Sequence, residues 1–180
     1  MQDFDLVIVG SGSGNSIPPE LDGARIAMVE RGVFGGTCLN VGCIPSKMFI
    51  YAADIAMHVR ESERYGVKAS VESVDWPAIV DRVFGRIDPI AAGGERYRAE
   101  DCENITVFRG SGAFVDHKVL EVDGEQLRGE KFLLAAGARP YVPDVPGLDE
   151  VGYHTSDTVM RLPELPARMA VLGGGYIATE

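Results

Sequence analysis

Residues 35–47 read Gly-Gly-Thr-Cys-Leu-Asn-Val-Gly-Cys-Ile-Pro-Ser-Lys and place Cys38 and Cys43 five positions apart. Two cysteines at this spacing can close a small, constrained ring, which favours a labile, exchange-active disulfide over a structural one. Pro45 and the apolar stretch after it predict that a helix begins near Cys43, where a thiol is most readily kept ionised. Lys47 then lies one turn away on the same face. The pair is therefore predicted to carry redox chemistry on a bound cofactor.

The composition restricts the class of protein. The chain has 180 residues, 46% hydrophobic and 24% charged, as in soluble globular proteins. Its formal net charge of −10 disfavours nucleic acid as a partner. No apolar run approaches the roughly 18 residues of a membrane span, and the N-terminus lacks the positive flank of a signal peptide. A cytoplasmic location without membrane partners is the resulting expectation.

Cysteine and histidine usage bears on metal binding. Three cysteines are too few for a disulfide framework, and a close pair in a reducing compartment is catalytic or metal-binding. Metal is the weaker alternative, because His58, His117 and His154 are scattered without ligand spacing. No metal site is predicted. Cys102 has acidic neighbours, which oppose thiolate formation, and is expected to be inert.

The first half of the chain has the pattern of an α/β fold. Residues 4–9 and 24–29 read as buried parallel strands, and Pro18 and Pro19 exclude a long helix between them, since an interior proline costs ~3 kcal/mol. A helix is predicted over residues 43–64. A second helix is predicted to begin at residues 75–77 and to be interrupted at residues 93–94.

The second half changes to strands and then to a linker. Residues 105–108, 112–115 and 119–122 predict a β-meander with a hairpin turn at residues 123–124, followed by a buried strand at 131–136. The Pro- and Gly-rich residues 139–147 predict a boundary between domains 1–147 and 148–180. Residues 169–172 read as the opening strand of a second domain, so the chain is expected to be truncated. The alternative, that this segment completes the first sheet, stays open.

Two glycine motifs follow predicted strands. Gly10-x-Gly12, with Glu30 twenty residues further on, is typical of a dinucleotide fingerprint in which the glycines approach a pyrophosphate and the acid accepts ribose hydroxyls. Asn15 stands where the third glycine belongs and is expected to hold the following helix further from the strand. A plain strand-turn-helix connection is the alternative reading.

The second glycine motif is Gly173-x-Gly175-x-x-Ala178, which has alanine in the accepted third place. Two fingerprints indicate two nucleotides, a flavin dinucleotide at the first and a nicotinamide at the second. The sequence stops before the residue that separates NADH from NADPH. A buried glycine turn is the alternative reading.

With these motifs the chain resembles the pyridine nucleotide-disulfide oxidoreductases, the flavoenzymes that include glutathione reductase, dihydrolipoamide dehydrogenase and mercuric reductase. The matching motifs are the first fingerprint, the run at 35–47, Ala136-Gly137 before Pro140, residues 155–157, and residues 175–180. The resemblance implies an α/β fold: an FAD-binding Rossmann-like domain with three layers, ββα, and a β-meander. It also implies the first strand of an NAD(P)-binding Rossmann-like domain.

The resemblance implies a role for individual residues. Cys43 would be the thiol nearest the flavin, and Cys38 the interchange thiol that attacks the substrate. Lys47 would lie beside flavin N5 and pair with Glu180, and Tyr176 would cover the flavin where nicotinamide docks. The other residues that the resemblance implies as cofactor contacts are Gly10, Gly12, Ser13, Gly14, Glu30, Arg31, Gly35, Gly36, Thr37, Gly112, Ala136, Gly137, Ser156, Gly173 and Gly175. Tyr176 could instead be a packed helix aromatic, and residues 155–157 a helix N-cap.

The implied activity is transfer of electrons from NADH or NADPH through FAD and a Cys38–Cys43 disulfide to a small disulfide. In this family the general acid is a histidine of a partner subunit, so a homodimer is expected and this chain alone should lack turnover. The short, proline-broken connection after Gly14 most resembles the mycothione reductases. Dihydrolipoamide dehydrogenase-like and mercuric reductase-like enzymes, or a flavin-binding redox module without turnover, are the alternatives.

Overall fold

Two short apolar segments near the N-terminus form the centre of a sheet. In the computed structural model, which describes all residues from Met1 to Glu180, strand β1 (Gln2–Val9) pairs in parallel with β2 (Ile26–Glu30). Val7 and Ile8 point to opposite faces and both are buried. Strands of parallel sheets are typically buried on both faces, which is why their sequences are continuously apolar. The two predicted strands are confirmed.

Four further strands complete a mixed six-stranded sheet. They are β3 (Ile105–Arg109), β4 (Gly112–Asp116), β5 (Val119–Val122) and β6 (Glu125–Leu134). The order is β3-β2-β1-β6-β5-β4, with β3, β2, β1 and β6 parallel and β6, β5 and β4 antiparallel. The α/β class and the meander are thus confirmed, although the meander continues the parallel sheet through β6. The strand predicted at 131–136 is the second half of β6, and its end is exposed rather than buried at Leu133 and Leu134.

The α-helices are α1 (Gly36–Asn40), α2 (Cys43–Glu61), α3 (Trp76–Arg96), α4 (Leu148–Val151) and α5 (Tyr176–Thr179). Two of the five, α2 and α3, begin where their start signals predict. Helix α2 begins at Cys43 as predicted. Asp75 accepts a hydrogen bond from Ala78 N at 3.0 Å and so caps the first turn of α3. Short 3₁₀ turns lie at Ser13–Asn15, Pro19–Leu21, Ser62–Tyr65 and Val159–Arg161, and a π-helical turn follows α3 at Tyr97–Asp101.

The predicted interruption of the second helix at Gly93 and Gly94 is wrong, since α3 continues to Arg96. A glycine inside a helix costs up to about 1 kcal/mol relative to alanine, and packing can outweigh this cost. Gly94 lies against the buried ring of Phe34, 3.6 Å from where its Cβ would stand, and the neighbouring Ala91 is buried.

The strand predicted at residues 169–172 is also wrong, because these residues have no regular structure. A strand needs a neighbour for its backbone N–H and C=O groups, and no strand of the sheet pairs with this segment. Apolar composition alone is therefore not enough to form a strand here.

Packing divides the chain into two compact units. Met1–Asn40 and Asp88–Arg139 make up the first unit, which contains the sheet. Val41–Ile87 and Pro140–Glu180 make up the second, which contains α2, α4 and α5. The division into nucleotide-binding domains at residue 147 stays a prediction. None of the helices is both long and apolar enough to serve as a membrane span.

Glycines let the loop after β1 approach two other segments of the first unit. Gly10 has φ +104°, and a Cβ there would collide with the backbone oxygen of Ala135. Gly36 has φ +68°, and a Cβ there would stand 2.5 Å from the Cα of Gly12. The backbones at Gly12 and Gly36 are thus in direct contact, which only glycine permits.

Gly36→Ala should destabilise the chain more than Gly137→Ala, which serves as a matched control. Gly137 has φ +70°, but nothing lies within 4 Å of its Cβ position. Both alanines bear the cost of a left-handed backbone, about 1–2 kcal/mol. Gly36→Ala must also displace Gly12, at roughly 1–3 kcal/mol more. Urea unfolding measures the difference, and equal losses in the two variants would show that the backbone contact does not matter.

Candidate functional site

A buried serine joins three segments at the end of the parallel strands. Ser11 has no exposed surface, and its N and Oγ donate to Glu30 Oε2 at 2.9 and 2.7 Å. Gly35 N in turn donates to Ser11 Oγ at 3.0 Å. The ends of β1 and β2 and the turn before α1 are therefore fixed by one hydroxyl. The sequence analysis missed Ser11, although a small hydroxyl between two fingerprint glycines is a usable signal.

Glu30 is the acid at the end of β2 that the fingerprint predicts. Partial burial would raise the pKa of Glu30, but hydrogen bonds from Ser11 N, Gly32 N and Ser11 Oγ outweigh it and lower that pKa. The carboxylate is therefore charged at neutral pH and can only accept hydrogen bonds. Such a group at this position suits ribose hydroxyls, and that role stays a prediction.

The loop at residues 10–15, which follows β1, differs from the fingerprint expectation after Ser13. The loop enters only a three-residue 3₁₀ turn, Ser13–Asn15, and residues 16–18 have no regular structure. Gly14 is buried, and a Cβ there would stand 2.7 Å from Ile8 Cγ2. The close packing expected of the third glycine thus belongs to Gly14. The expectation that Asn15 holds a following helix away from the strand is wrong, because no such helix is present.

Helix α1 carries Thr37 and Cys38 and is tied to the turn before it by Asn40. The amide Nδ2 of Asn40 donates to Phe34 O and Gly36 O, both at 3.0 Å. Its Oδ1 is buried and accepts no hydrogen bond. A buried oxygen without a donor is uncommon and is the kind of atom that a ligand or an ordered water satisfies. Nothing in the sequence around Asn40 distinguishes it, and the sequence analysis did not select it.

Cys43 is the first residue of α2, and Cys38 lies in the middle of α1. Both side chains are exposed. The N-cap of α2 is Gly42, which has no side chain to bond the first turn, and Pro45 contributes no N–H. The N–H groups of this turn are therefore not used by a capping side chain, and a helix N-terminus favours a negative group.

Lys47 and Glu180 form an ion pair in the second unit. Ser46 Oγ also donates to Glu180 Oε1 at 2.9 Å. The hydrogen bonds from Lys47 and Ser46 lower the pKa of Glu180. The Lys47 side chain is 65% exposed, so the pair by itself adds little to stability. The structure thus brings these two predicted residues together, and their role beside a flavin stays a prediction.

Other predicted cofactor residues of the first unit lie at strand ends. Arg31 follows β2 and is exposed. Gly112 is the first residue of β4, where a Cβ would stand 2.7 Å from Leu120 Cδ2. Ala136 and Gly137 follow β6, and the Cα of Ala136 is 3.2 Å from where a Gly10 Cβ would stand. Gly10 and Ala136 are therefore adjacent at the carboxyl ends of β1 and β6.

The predicted cofactor residues near the C-terminus are not assembled into a pocket within their unit. Ser156 lies in a turn in which Asp157 N donates to Thr155 Oγ1 at 3.3 Å, and the 3₁₀ turn that follows at Val159–Arg161 has no side-chain cap. Nothing lies within 4 Å of the Cβ positions of Gly173 and Gly175. Tyr176 begins α5 and is 84% exposed, so it is not a packed helix aromatic. No group of three or more His, Cys, Asp or Glu is arranged to hold a metal ion.

Three of the known proteins that the chain resembles show the range of its relatives. The chain is 49% identical over 187 residues to the mycothione reductase of Mycobacterium tuberculosis, covering 100% of this chain and 40% of that protein. It is 38% identical to the mercuric reductase of Staphylococcus aureus, covering 99% of this chain and 33% of that protein. The structure of the HOCl-induced flavoprotein disulfide reductase RclA from Escherichia coli superposes with a TM-score of 0.81 at 30% identity, covering 97% of this chain and 38% of that one.

The chain spans about two fifths or less of the length of the curated relatives it matches. The family model of the pyridine nucleotide-disulphide oxidoreductases nevertheless matches almost the whole of this chain, residues 4–180. The mixed sheet, the glycine contacts at the end of β1 and the cysteine-bearing run at the start of α2 belong to that matched region. The chain is a member of the pyridine nucleotide-disulphide oxidoreductase family.

Proposed function

We propose that this chain is the flavin-binding and thiol-bearing part of an NAD(P)H-dependent disulfide reductase. It would pass electrons from NADH or NADPH through FAD and a Cys38–Cys43 disulfide to a small disulfide substrate. The observation that carries the proposal is the run at residues 35–47, in which Cys43 begins α2 and Lys47 lies one turn further on. Family membership supports the same chemistry.

The residues at the end of the parallel strands fit FAD. The backbone contact between Gly12 and Gly36 leaves no room for side chains, and loops of this kind approach a pyrophosphate closely. Glu30 is charged and suits ribose hydroxyls, and Asn40 offers a buried oxygen without a donor. The loop at 10–14, Glu30 and the segment at 36–37 would hold the cofactor. FAD, when bound, supplies two-electron transfer between nicotinamide and the disulfide.

The thiol chemistry that we propose assigns one step to each of the two cysteines. Cys38 as thiolate attacks one sulfur of the substrate disulfide, which forms a mixed disulfide and releases one substrate thiolate. Cys43 then attacks the Cys38 sulfur, which releases the second substrate thiolate and closes the Cys38–Cys43 bond. Lys47 lies one turn from Cys43 on the same helix and forms the ion pair with Glu180. The released thiolates require a proton donor, which the proposal assigns to a partner subunit of a homodimer.

Mycothiol disulfide is the substrate that we propose. The 49% identity to a mycothione reductase exceeds the 38% identity to a mercuric reductase and the 33% identity to the glutathione reductase of Burkholderia cepacia. The connection between β1 and β2 supports this choice, because it contains only two three-residue 3₁₀ turns. A longer helix that could add groups for glutathione is not present there.

A substrate panel tests this choice. The intact gene product, tested with NADH and NADPH separately, should oxidise the nicotinamide fastest with mycothiol disulfide. Glutathione disulfide, lipoamide and mercuric ion are the competing substrates, and kcat/KM for each is the measurement. A higher kcat/KM with any of the three would reassign the substrate. No nicotinamide oxidation with any substrate would favour a redox module without turnover.

Serine variants of the two cysteines test the thiol roles separately. On two-electron reduction of the flavin-loaded protein, we expect a long-wavelength absorbance band from a thiolate beside the flavin. Cys43→Ser should abolish the band, because the neighbouring thiolate is lost. Cys38→Ser, which has no disulfide to accept the electrons, should show the band while its flavin is still oxidised. Cys102→Ser is the control and should retain the band. A band that persists in both Cys43→Ser and Cys38→Ser would show that the roles are wrongly assigned.

A further inference from the structure

The phosphate loop of this chain lacks the anchor that dinucleotide-binding folds normally have. In such folds the loop runs into a long helix, which fixes the loop and directs its N-terminus at the pyrophosphate. Here the loop ends in the three-residue turn Ser13–Asn15, and the next turn does not begin until Pro19. A turn of this length has neither the dipole nor the packing face of a helix. The far end of the loop must therefore be fixed by something else.

Arg98 supplies this anchor from the π-helical turn after α3. Its Nε donates to Asn15 Oδ1 at 2.7 Å, and its Nη2 donates to Asn15 O at 2.8 Å. Its Nη1 lies 3.6 Å from Cys102 Sγ. All three contacts are partly buried. Two hydrogen bonds from one planar guanidinium to one residue fix both position and orientation, which a lysine could not do.

The anchored residue is connected to the part of the loop that matters for a ligand. Asn15 N donates to Gly12 O at 3.1 Å, and so closes the turn on the glycine whose backbone contacts Gly36. The side-chain bond to Arg98 requires an acceptor oxygen at position 15, which asparagine supplies and glycine does not. Arg98 thus acts on Gly12 through Asn15 and needs no contact with the ligand itself.

We propose that Arg98 is a positioning residue that holds the loop at 10–15, through Asn15, in the shape that binds the pyrophosphate of FAD. This inference rests on the proposed flavin-binding function. It assigns to a side chain from the end of α3 the task that a helix performs in other dinucleotide folds.

Titration of the apo form of the intact gene product with FAD, followed by flavin fluorescence, tests the inference. Arg98→Ala should raise the Kd for FAD about tenfold, which equals about 1.4 kcal/mol. Asn15→Ala should raise it about threefold, because the backbone bond to Arg98 remains. Arg98→Lys should lie between the unaltered protein and Arg98→Ala. Adding Asn15→Ala to Arg98→Ala should cause little further loss, since both changes remove the same bonds.

Arg96→Ala is the matched control, because Arg96 is an exposed arginine in the last turn of α3, two residues away. Its Kd for FAD should equal that of the unaltered protein. Thermal unfolding separates positioning from plain stability. Arg98→Ala should lower the Tm of the FAD-loaded protein more than the Tm of the apoprotein, because the weakened binding adds to any loss of fold stability.

A Kd for Arg98→Ala within twofold of that for Arg96→Ala would overturn the inference. So would equal losses of Tm with and without FAD at an unchanged Kd, which would indicate a purely structural contact. Should Arg98→Ala fail to fold, an unchanged Kd in both Arg98→Lys and Asn15→Ala would overturn it equally. If the unaltered protein binds no FAD, the proposed function fails and this inference fails with it.

Discussion

One hydroxyl group without solvent access connects the chemistry of this chain to its sheet. Ser11 can be buried only because its Oγ both donates to Glu30 and accepts from Gly35 N. The same contact keeps Glu30 charged, brings the turn before α1 to the end of β1, and permits the glycine backbones to touch. The cysteine-bearing segment begins immediately after that turn. Loss of this hydroxyl would therefore disturb Glu30, the loop after β1 and the turn that leads to Cys38 together.

Features with local signals could be predicted from the sequence. The start of α2 at Cys43 followed from Pro45, and the start of α3 followed from the capping residue Asp75. The hairpin between β5 and β6 followed from Asp123-Gly124, which both have positive φ. In each case the residue types act on their own backbone, so that no distant partner is needed. The family resemblance rested on several short motifs, among them the run at residues 35–47, and each motif is recognised from its own residues.

Features that depend on distant partners could not be predicted. Gly93 and Gly94 remain helical because Phe34 and the core near it outweigh glycine propensity, and residues 169–172 lack a strand to pair with. The same limit applies to the candidate site. Arg98 reaches Asn15, a residue 83 positions earlier. No periodicity or motif in the neighbouring sequence shows which arginine or asparagine does this.

The central position of β1 has a consequence for how the chain is made. One edge of β1 can pair with β2 soon after both strands have been synthesised. The other edge stays unpaired until β6 has been synthesised, because Gln2 pairs with Leu127. At about 5–20 residues per second, a ribosome needs roughly 6–25 s to supply that partner. During this interval an apolar strand edge is open to pairing with other nascent chains. Folding of the sheet should therefore be slow, sensitive to translation rate and helped by chaperones that cover strand edges.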